Sequence, residues 1–288
     1  MDATIGILSY NTKDLLRECL NSIGKFTKNL KYEIIVVENG SKDGSAQMIE
    51  REFPEIILIK NKKNRFFARG YNQIIQKARG KYFIMLNSDT RLEDNACKKI
   101  IDFMIKNKIN ACEGLEVRPN GKIIPTGSMF RSVRSDFYEL SLLGRILREE
   151  SYLKKIRMKN FNRAKNFEVD VGCNAFFCIS TELLIKIGAY DEDFTLYYTE
   201  DDLSKRIKKS GFKIFHCGEA HVVHEDAKST MQLGWKRIEI FYRDMFLYHK
   251  KYNNLIHSWG LYLLLSGELI ILKLRKSFLD ISTLLQKS

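Results

Sequence analysis

Lys81-Tyr82-Phe83-Ile84-Met85-Leu86-Asn87-Ser88-Asp89-Thr90 decides the fold class. An apolar run the length of a strand stops abruptly in a small polar turn that ends in a carboxylate. In an open α/β sheet, ligands bind beyond the carboxyl ends of the strands. Asp89 therefore falls where a ligand lies, and an aspartate there can hold a divalent cation that in turn holds a diphosphate. The letters Asn-x-Asp-Thr also make an ordinary helix N-cap, so the flanking sequence has to choose.

Upstream, Ala3 to Ser9 reads as a buried strand ending at Tyr10-Asn11-Thr12, with Asn11 or Thr12 as the cap of a helix over 13–25. Glu33 to Glu38 reads as a second strand that runs into Asn39-Gly40-Ser41-Lys42-Asp43-Gly44-Ser45, followed by a short helix over 45–52. Ile56 to Lys60 is a third strand, and a helix over 68–79 carries Ile74, Ile75 and Ala78 on one face. Strands alternating with helices of this length imply βαβ units and a mainly parallel sheet. The polar and glycine-containing turns then gather along one sheet edge.

Downstream, Glu113 to Val117 and Lys122 to Ile124 flank Arg118-Pro119-Asn120-Gly121 and read as a hairpin. Residues 128–168 read as a long basic loop with one helix, and loops of that length are usually functional. An apolar strand region over 169–179, a helix over 181–187, a helix over 201–210 and a strand over 213–217 follow. The organisation expected is a nucleotide-binding half (1–117), a second half of the same domain (118–225) and a helical extension (226–288).

The formal net charge is +13, and it is uneven: +5 over 1–117, +7 over 118–168, −4 over 169–225 and +5 over 226–288. A nucleic-acid binder is not expected to set its densest carboxylates in the middle of its footprint. An anionic membrane surface, or an anionic substrate held partly through a cation, fits this pattern better. Cys19, Cys97, Cys112, Cys173, Cys178 and Cys217 form no CxxC pair and no metal spacing, and read as buried reduced thiols. The amino terminus runs straight into a strand, without the basic and apolar regions of a secretory leader. Residues 255–276 are apolar but interrupted by His257 and Glu268. Trp259 and Tyr262 towards one end and Lys273, Arg275 and Lys276 at the other suit a helix lying in a membrane interface. A buried core helix or a homodimer interface is the alternative.

The chain resembles an inverting family 2 glycosyltransferase of the GT-A fold, in the subgroup that contains rhamnosyltransferases and other polysaccharide-assembly enzymes. The resemblance runs from residue 4 to about 230 and rests on blocks in the family's order. They are Ile7-Leu8-Ser9-Tyr10-Asn11, the run Val37 to Ser45, Asn64-Arg65-Phe66-Phe67-Ala68-Arg69-Gly70-Tyr71-Asn72, and Leu86-Asn87-Ser88-Asp89-Thr90. Last comes an acceptor half from Asp170 to Leu203 with Val222-Val223-His224 after it.

The resemblance implies an α/β, Rossmann-like, mainly parallel sheet flanked by helices, with a helical C-terminal extension. It implies a nucleoside-diphosphate sugar donor, UDP- or dTDP-linked, held by Ser9, Tyr10, Asn11, Glu38, Asn39, Gly40, Ala68, Asn72, Asn87 and Ser88. Glu38 stands where the family's base-reading Asp stands, and Phe66 where the family has Gly. Mg²⁺ or Mn²⁺ would sit on Asp89 with His224 as a further ligand. The general base falls on Glu200 when the chain is aligned on Asp202-Leu203 and on Asp201 when it is aligned on the letters Glu-Asp; Asp202 completes the acidic triplet. Asp170 and Asn174 lie on the acceptor side. The acceptor implied is a glycan or a lipid-linked sugar in cell-surface polysaccharide synthesis, met at the cytoplasmic face of the membrane. Two other readings stay open: a nucleotidyltransferase on a similar sheet, and a non-catalytic sugar-nucleotide-binding module.

Overall fold

The computed structural model describes residues 1–225 and 233–285. Its first part alternates β1 (Ala3–Ser9), α1 (Lys13–Phe26), β2 (Tyr32–Glu38), α2 (Ser45–Glu52), β3 (Ile57–Lys60), α3 (Phe66–Ile75) and β4 (Tyr82–Asn87). Then come β5 (Thr90–Arg91), α4 (Ala96–Asn107), β6 (Ala111–Val117) and β7 (Ile123–Ile124), which folds back on β6. Three short helices follow, α5 (Val133–Leu140), α6 (Leu142–Ile146) and α7 (Glu150–Ile156). The remainder is β8 (Phe167–Val169), β9 (Phe176–Ser180), α8 (Thr181–Lys186), α9 (Thr199–Lys209), β10 (Ile214–His224), α10 (Lys236–Tyr252) and α11 (Leu255–Leu285).

One sheet runs β3-β2-β1-β4-β9-β6-β10-β5, with β7 on β6 and β8 on β10. β1 to β4, β6 and β10 share one direction, while β9 is inserted antiparallel between β4 and β6. The sheet is therefore mixed, parallel only in its β3-β2-β1-β4 part and between β6 and β10. Side chains alternate across it, as strand geometry requires. Ile5, Ile7, Val36, Ile84 and Leu86 face Leu16, Leu20 and Ile23 of α1 and Ile100 and Met104 of α4. Ile35, Val37, Phe83 and Met85 face Tyr71 and Ile74 of α3, Leu183 and Leu184 of α8, and Leu203 and Ile207 of α9. Burial on both faces explains why these strands read as continuous apolar runs.

Several sequence expectations need correction. The 128–168 segment holds three short helices among its turns, not one. The 169–179 region is not one strand: β8 ends at Val169 on β10, and β9 begins at Phe176 beside β4. The strand expected over 213–217 continues to His224, across a register irregularity between Cys217 and His221. α3 starts at Phe66 and α9 at Thr199, each two residues early, so the acidic triplet forms the first turn of α9.

α10 and α11 pack on the end of the sheet domain. Met245, Tyr248, Leu261 and Leu265 bury themselves with Phe194 and Tyr198, and Phe137 and Leu140 of α5 close over them. Glu268 accepts hydrogen bonds from the backbone N–H of Leu142, which ties α11 to the start of α6. Among the described residues no helix is long and apolar enough to cross a membrane. All six cysteines are free, and five of them are buried.

Candidate active site

The carboxyl ends of β1, β2 and β4 are stitched together by short polar side chains. The Ser9 and Thr12 hydroxyls lie 3.0 Å apart, and Thr12 and Ser88 2.9 Å apart. Thr12 thus spends its hydroxyl between two strand ends, and α1 has no side-chain cap of its own. The Lys13 N–H is instead satisfied by Asp43 Oδ2 at 2.8 Å, from the turn after β2. Asn11 serves the same junction: its side-chain carbonyl accepts from the Lys42 N–H and its own N–H donates to Ser41 Oγ. Glu38 accepts from the N–H groups of Ser41 at 2.7 Å and Gly40 at 3.3 Å, which fixes the turn. Gly40 has φ +82°, and a Cβ there would lie 2.7 Å from Lys63 Cα, so the position requires glycine. Asn39 holds the loop before α3, through Asn61, Asn64 and the Arg65 N–H.

These ends open on a cavity of about 270 Å³ whose wall includes Tyr10, Asn39, Phe66, Asn87, Ser88 and Asp89. Ser9, Asn11, Glu38, Gly40, Ala68 and Asn72 do not line it. Asn72 ties α3 to the segment before α9, exchanging hydrogen bonds with the Tyr190 backbone in both directions. Phe66, at the family's glycine position, keeps the left-handed backbone that glycine adopts freely, with φ +62°. A strained non-glycine residue that presents an aromatic ring to a cavity is the kind of outlier that marks a functional site. Lys236 lies over that ring at 5.5 Å.

Asp89 does not cap a helix. Thr90 enters β5, which pairs with β10 and sets Thr90 opposite His224, while α4 begins only after Asn95. That ladder brings His224 Nε2 to 3.2 Å from Asp89 Oδ1, and Glu116 Oε2 holds the other ring nitrogen at 2.7 Å. Burial would lower the imidazole pKa, but the Asp89 and Glu116 carboxylates outweigh it and raise it to about 10. Among the described residues no three His, Cys, Asp or Glu side chains converge as a ready-made cage. Asp89 and His224 supply two donors on one cavity wall. A Mg²⁺-type site that borrows phosphate oxygens from its substrate needs only one or two protein ligands, so these residues fit such an ion. Glu116, which the sequence reading missed, orients the imidazole as outer partners of metal-binding histidines do. Its signal was a carboxylate inside an otherwise apolar strand.

The acidic triplet splits three ways. Glu200 lines the cavity and accepts from Thr199 Oγ1 at 3.0 Å. Asp201 is buried, with an Oδ1 that has no partner; burial first, then the Glu200 charge, raise its pKa to about 7. Asp202 is fully buried in an ion-pair network with Arg206, Lys251 and the Tyr252 hydroxyl. Tyr198, just before the triplet, has φ +58° and donates to Asp136, which also accepts from Arg131 and His249.

Of the two acceptor-side residues, Asn174 lines the same cavity and has a buried Nδ2 without a partner. Asp170 does not line it; it pairs with Lys208 and accepts from the Phe130 N–H. Glu113, also unforeseen, braces this region: it accepts from the Cys173 N–H at 2.7 Å and meets His216 Nδ1 at 2.8 Å.

A family model described as Glycosyl transferase family 2 matches residues 4–188. A Bacillus subtilis protein named "Uncharacterized glycosyltransferase YfnE" is 38% identical over 92 residues, 31% of this chain and 23% of that protein. The chain thus spans under a quarter of that relative's length. The N-acetylglucosaminyl-diphospho-decaprenol L-rhamnosyltransferase of Mycobacterium tuberculosis is 21% identical over 238 residues, 77% of this chain and 76% of that one. The solved mannosyltransferase of Pyrobaculum calidifontis in complex with GDP-Man and Mn2+ is 13% identical, covers 99% of this chain and 80% of its own, and superposes with a TM-score of 0.59. That likeness shows the fold alone.

Proposed function

The chain belongs to glycosyl transferase family 2, and on that premise we propose that it moves a hexosyl or deoxyhexosyl unit, with inversion, from a nucleoside-diphosphate sugar to a hydroxyl of a glycan or lipid-linked acceptor. Family membership sets aside the nucleotidyltransferase reading. The observation that carries the proposal is the position of Glu200, on the wall of the cavity that also holds Asp89 and His224 and on the wall of a second cavity beside it.

An inverting transfer needs a base within hydrogen-bond reach of the attacking hydroxyl and an acceptor held in line with the breaking bond. Glu200 sits where the two substrates would meet, so we assign it the proton. Asp201 is the weaker candidate by position: it is buried and, unlike Glu200, does not line the cavity that holds Asp89 and His224. Asp202 is committed to its ion pairs. Tyr10, Asn39, Phe66, Asn87 and Ser88 form the donor side, Ser9, Asn11, Glu38 and Gly40 fix the turns beside it, and Ala68 and Asn72 belong to the same donor half. Asp89 and His224 would hold Mg²⁺ or Mn²⁺, which as a Lewis acid supplies neutralisation of the leaving diphosphate's charge. UDP- and dTDP-linked donors are the first to try. The rhamnosyltransferase relative supports a lipid-linked acceptor and a deoxyhexosyl donor.

Contact with a membrane surface belongs to the same reading. α6 and α11 expose large apolar side chains, with Ile146 80% and Ile256 79% exposed, alongside Leu143, Trp259, Leu263 and Ile270. A panel of nucleotide sugars incubated with the protein and Mn²⁺ tests the proposal. Release of nucleoside diphosphate from one donor, with transfer to an acceptor seen by product mass, is expected. Intact donors throughout, with nucleotide binding retained, would leave a binding module instead.

A further inference from the structure

The second cavity is built from unlike groups. Glu200 and Asp201, from the first turn of α9, contribute two carboxyls; Asp201 is 6% exposed and its Oδ1 has no hydrogen-bond partner. Arg131, Arg157 and Lys159 contribute three cations. Between the last two stands Met158, buried and with φ +47°, so the chain turns sharply and sets both neighbours on the same cavity.

The three cations are not equivalent. Arg131 is held by Asp136 at 2.8 Å and Glu139 at 3.4 Å, and serves the buried network behind the cavity. Arg157 shares Glu139 through its Nε at 2.7 Å and keeps its side chain 41% exposed. Lys159 is exposed and has no ion-pair partner among the described residues. Two positive groups with donors to spare therefore border a cavity that also presents the Glu200 and Asp201 carboxyls and the Ser128 hydroxyl. A ligand that satisfies both must offer hydroxyl protons to the acids and negative charge to the cations. A guanidinium and an ammonium together are a recurrent pairing for phosphate oxygens.

We propose that this cavity is the acceptor subsite and that it selects an anionic acceptor, a sugar or polyol with a phosphate group close to the reacting hydroxyl, with Arg157 and Lys159 as partners of the phosphate. The proposal rests on the transferase reading, since Glu200 is the carboxylate that lines both cavities, with Cys173 beside it. It adds the class of acceptor and two residues that distinguish it from a neutral glycan. The phosphate has two sources: the diphosphate of a lipid-linked sugar, or the backbone of a polyol-phosphate polymer.

The test is a binding measurement on the full chain with divalent cations chelated, so that no donor is needed. Glucose 1-phosphate and methyl glucoside are the paired probes, followed by ligand-observed NMR. Glucose 1-phosphate is expected to bind at least tenfold more tightly. Lys159→Glu and Arg157→Gln should each weaken it about tenfold, leaving methyl glucoside unchanged. Lys159 is exposed, so its substitution stays informative if Arg157→Gln loosens α7. Equal binding of the two probes, or a preference that survives both substitutions, overturns the subsite. Octyl diphosphate and a glycerol-phosphate trimer then separate the sources, and the tighter of the two must also be weakened by Lys159→Glu. Nucleotide-sugar hydrolysis is read separately. Hydrolysis retained with no phosphate preference refutes the subsite alone; a phosphate preference with no hydrolysis refutes the transferase reading alone.

Discussion

His224 Nε2 lies 3.2 Å from Asp89 Oδ1 although 135 residues separate them, because the short ladder between β5 and β10 sets His224 opposite Thr90. The two donors sit on one cavity wall with Asn87 and Ser88.

Asp89→Ala should abolish cation-dependent transfer and leave the fold intact, because His224 keeps its bond to Glu116. Glu116→Gln should act more mildly, weakening Mn²⁺ binding about 10- to 100-fold, the usual effect of removing an outer partner of a metal-binding histidine. Electron paramagnetic resonance titration of Mn²⁺ measures both. Transfer by Asp89→Ala that persists at wild-type rate in chelator would remove the metal from this site.

Asp201→Asn should stabilise the protein at pH 8 and have little effect at pH 4. Burial raises the folded-state pKa of Asp201 to about 7. A carboxyl held above its ordinary value costs nothing while both states are protonated, and its penalty grows as pH rises through the range up to the folded value. Melting curves of the wild type and the variant at the two pH values are the check, with about 2–4 °C expected for each kcal/mol relieved. A variant that is no more stable at pH 8 than at pH 4, relative to wild type, contradicts the burial argument.

Asp136→Ala should destabilise by about 3–5 kcal/mol, since it leaves the buried Tyr198 hydroxyl and His249 ring without their acceptor and Arg131 with only the longer Glu139 pair. Burial works to raise the Asp136 pKa, but His249 and Arg131 outweigh it and hold it below the ordinary range. Its contribution is therefore present at neutral pH and is lost as pH falls through that lowered value. Denaturant unfolding of the variant is the measurement, and a midpoint equal to wild type would show that the network contributes nothing.

Vesicle flotation should show binding to anionic but not to neutral bilayers, weakened by salt and by the exposed double substitution Trp259→Ala, Leu263→Ser. Each basic residue near the surface contributes about 1 kcal/mol at an anionic membrane. Equal and negligible flotation on both bilayers would assign the apolar face of α11 to protein contact.

The parallel part of the sheet and its loaded edge were legible in the sequence, because apolar runs closed by polar turns report local geometry. Tyr10, Asn39, Asn87, Ser88, Asp89, Asn174, Glu200 and His224, chosen from sequence, line one cavity. What local pattern cannot report is pairing over distance. Glu116 meets His224 across the β6–β10 ladder. Asp202 is claimed by Lys251 and Tyr252 of α10, which no spacing near residue 202 reveals. The Thr12 hydroxyl goes to Ser88 rather than to its own helix. A continuous apolar run carries no direction, so β9 entered the expectation without its antiparallel sense. α5 and α6 looked poorly periodic since the apolar side chains of α5 meet α10 and α11 while those of α6 are exposed.

Glu200→Gln in single-turnover transfer, with donor binding followed in parallel, separates proton removal from donor capture. Transfer should fall about 10²-fold or more, the range for a missing general base, with the donor bound as tightly as by wild type. Transfer within a few-fold of wild type would contradict this and take the base away from the wall between the two cavities.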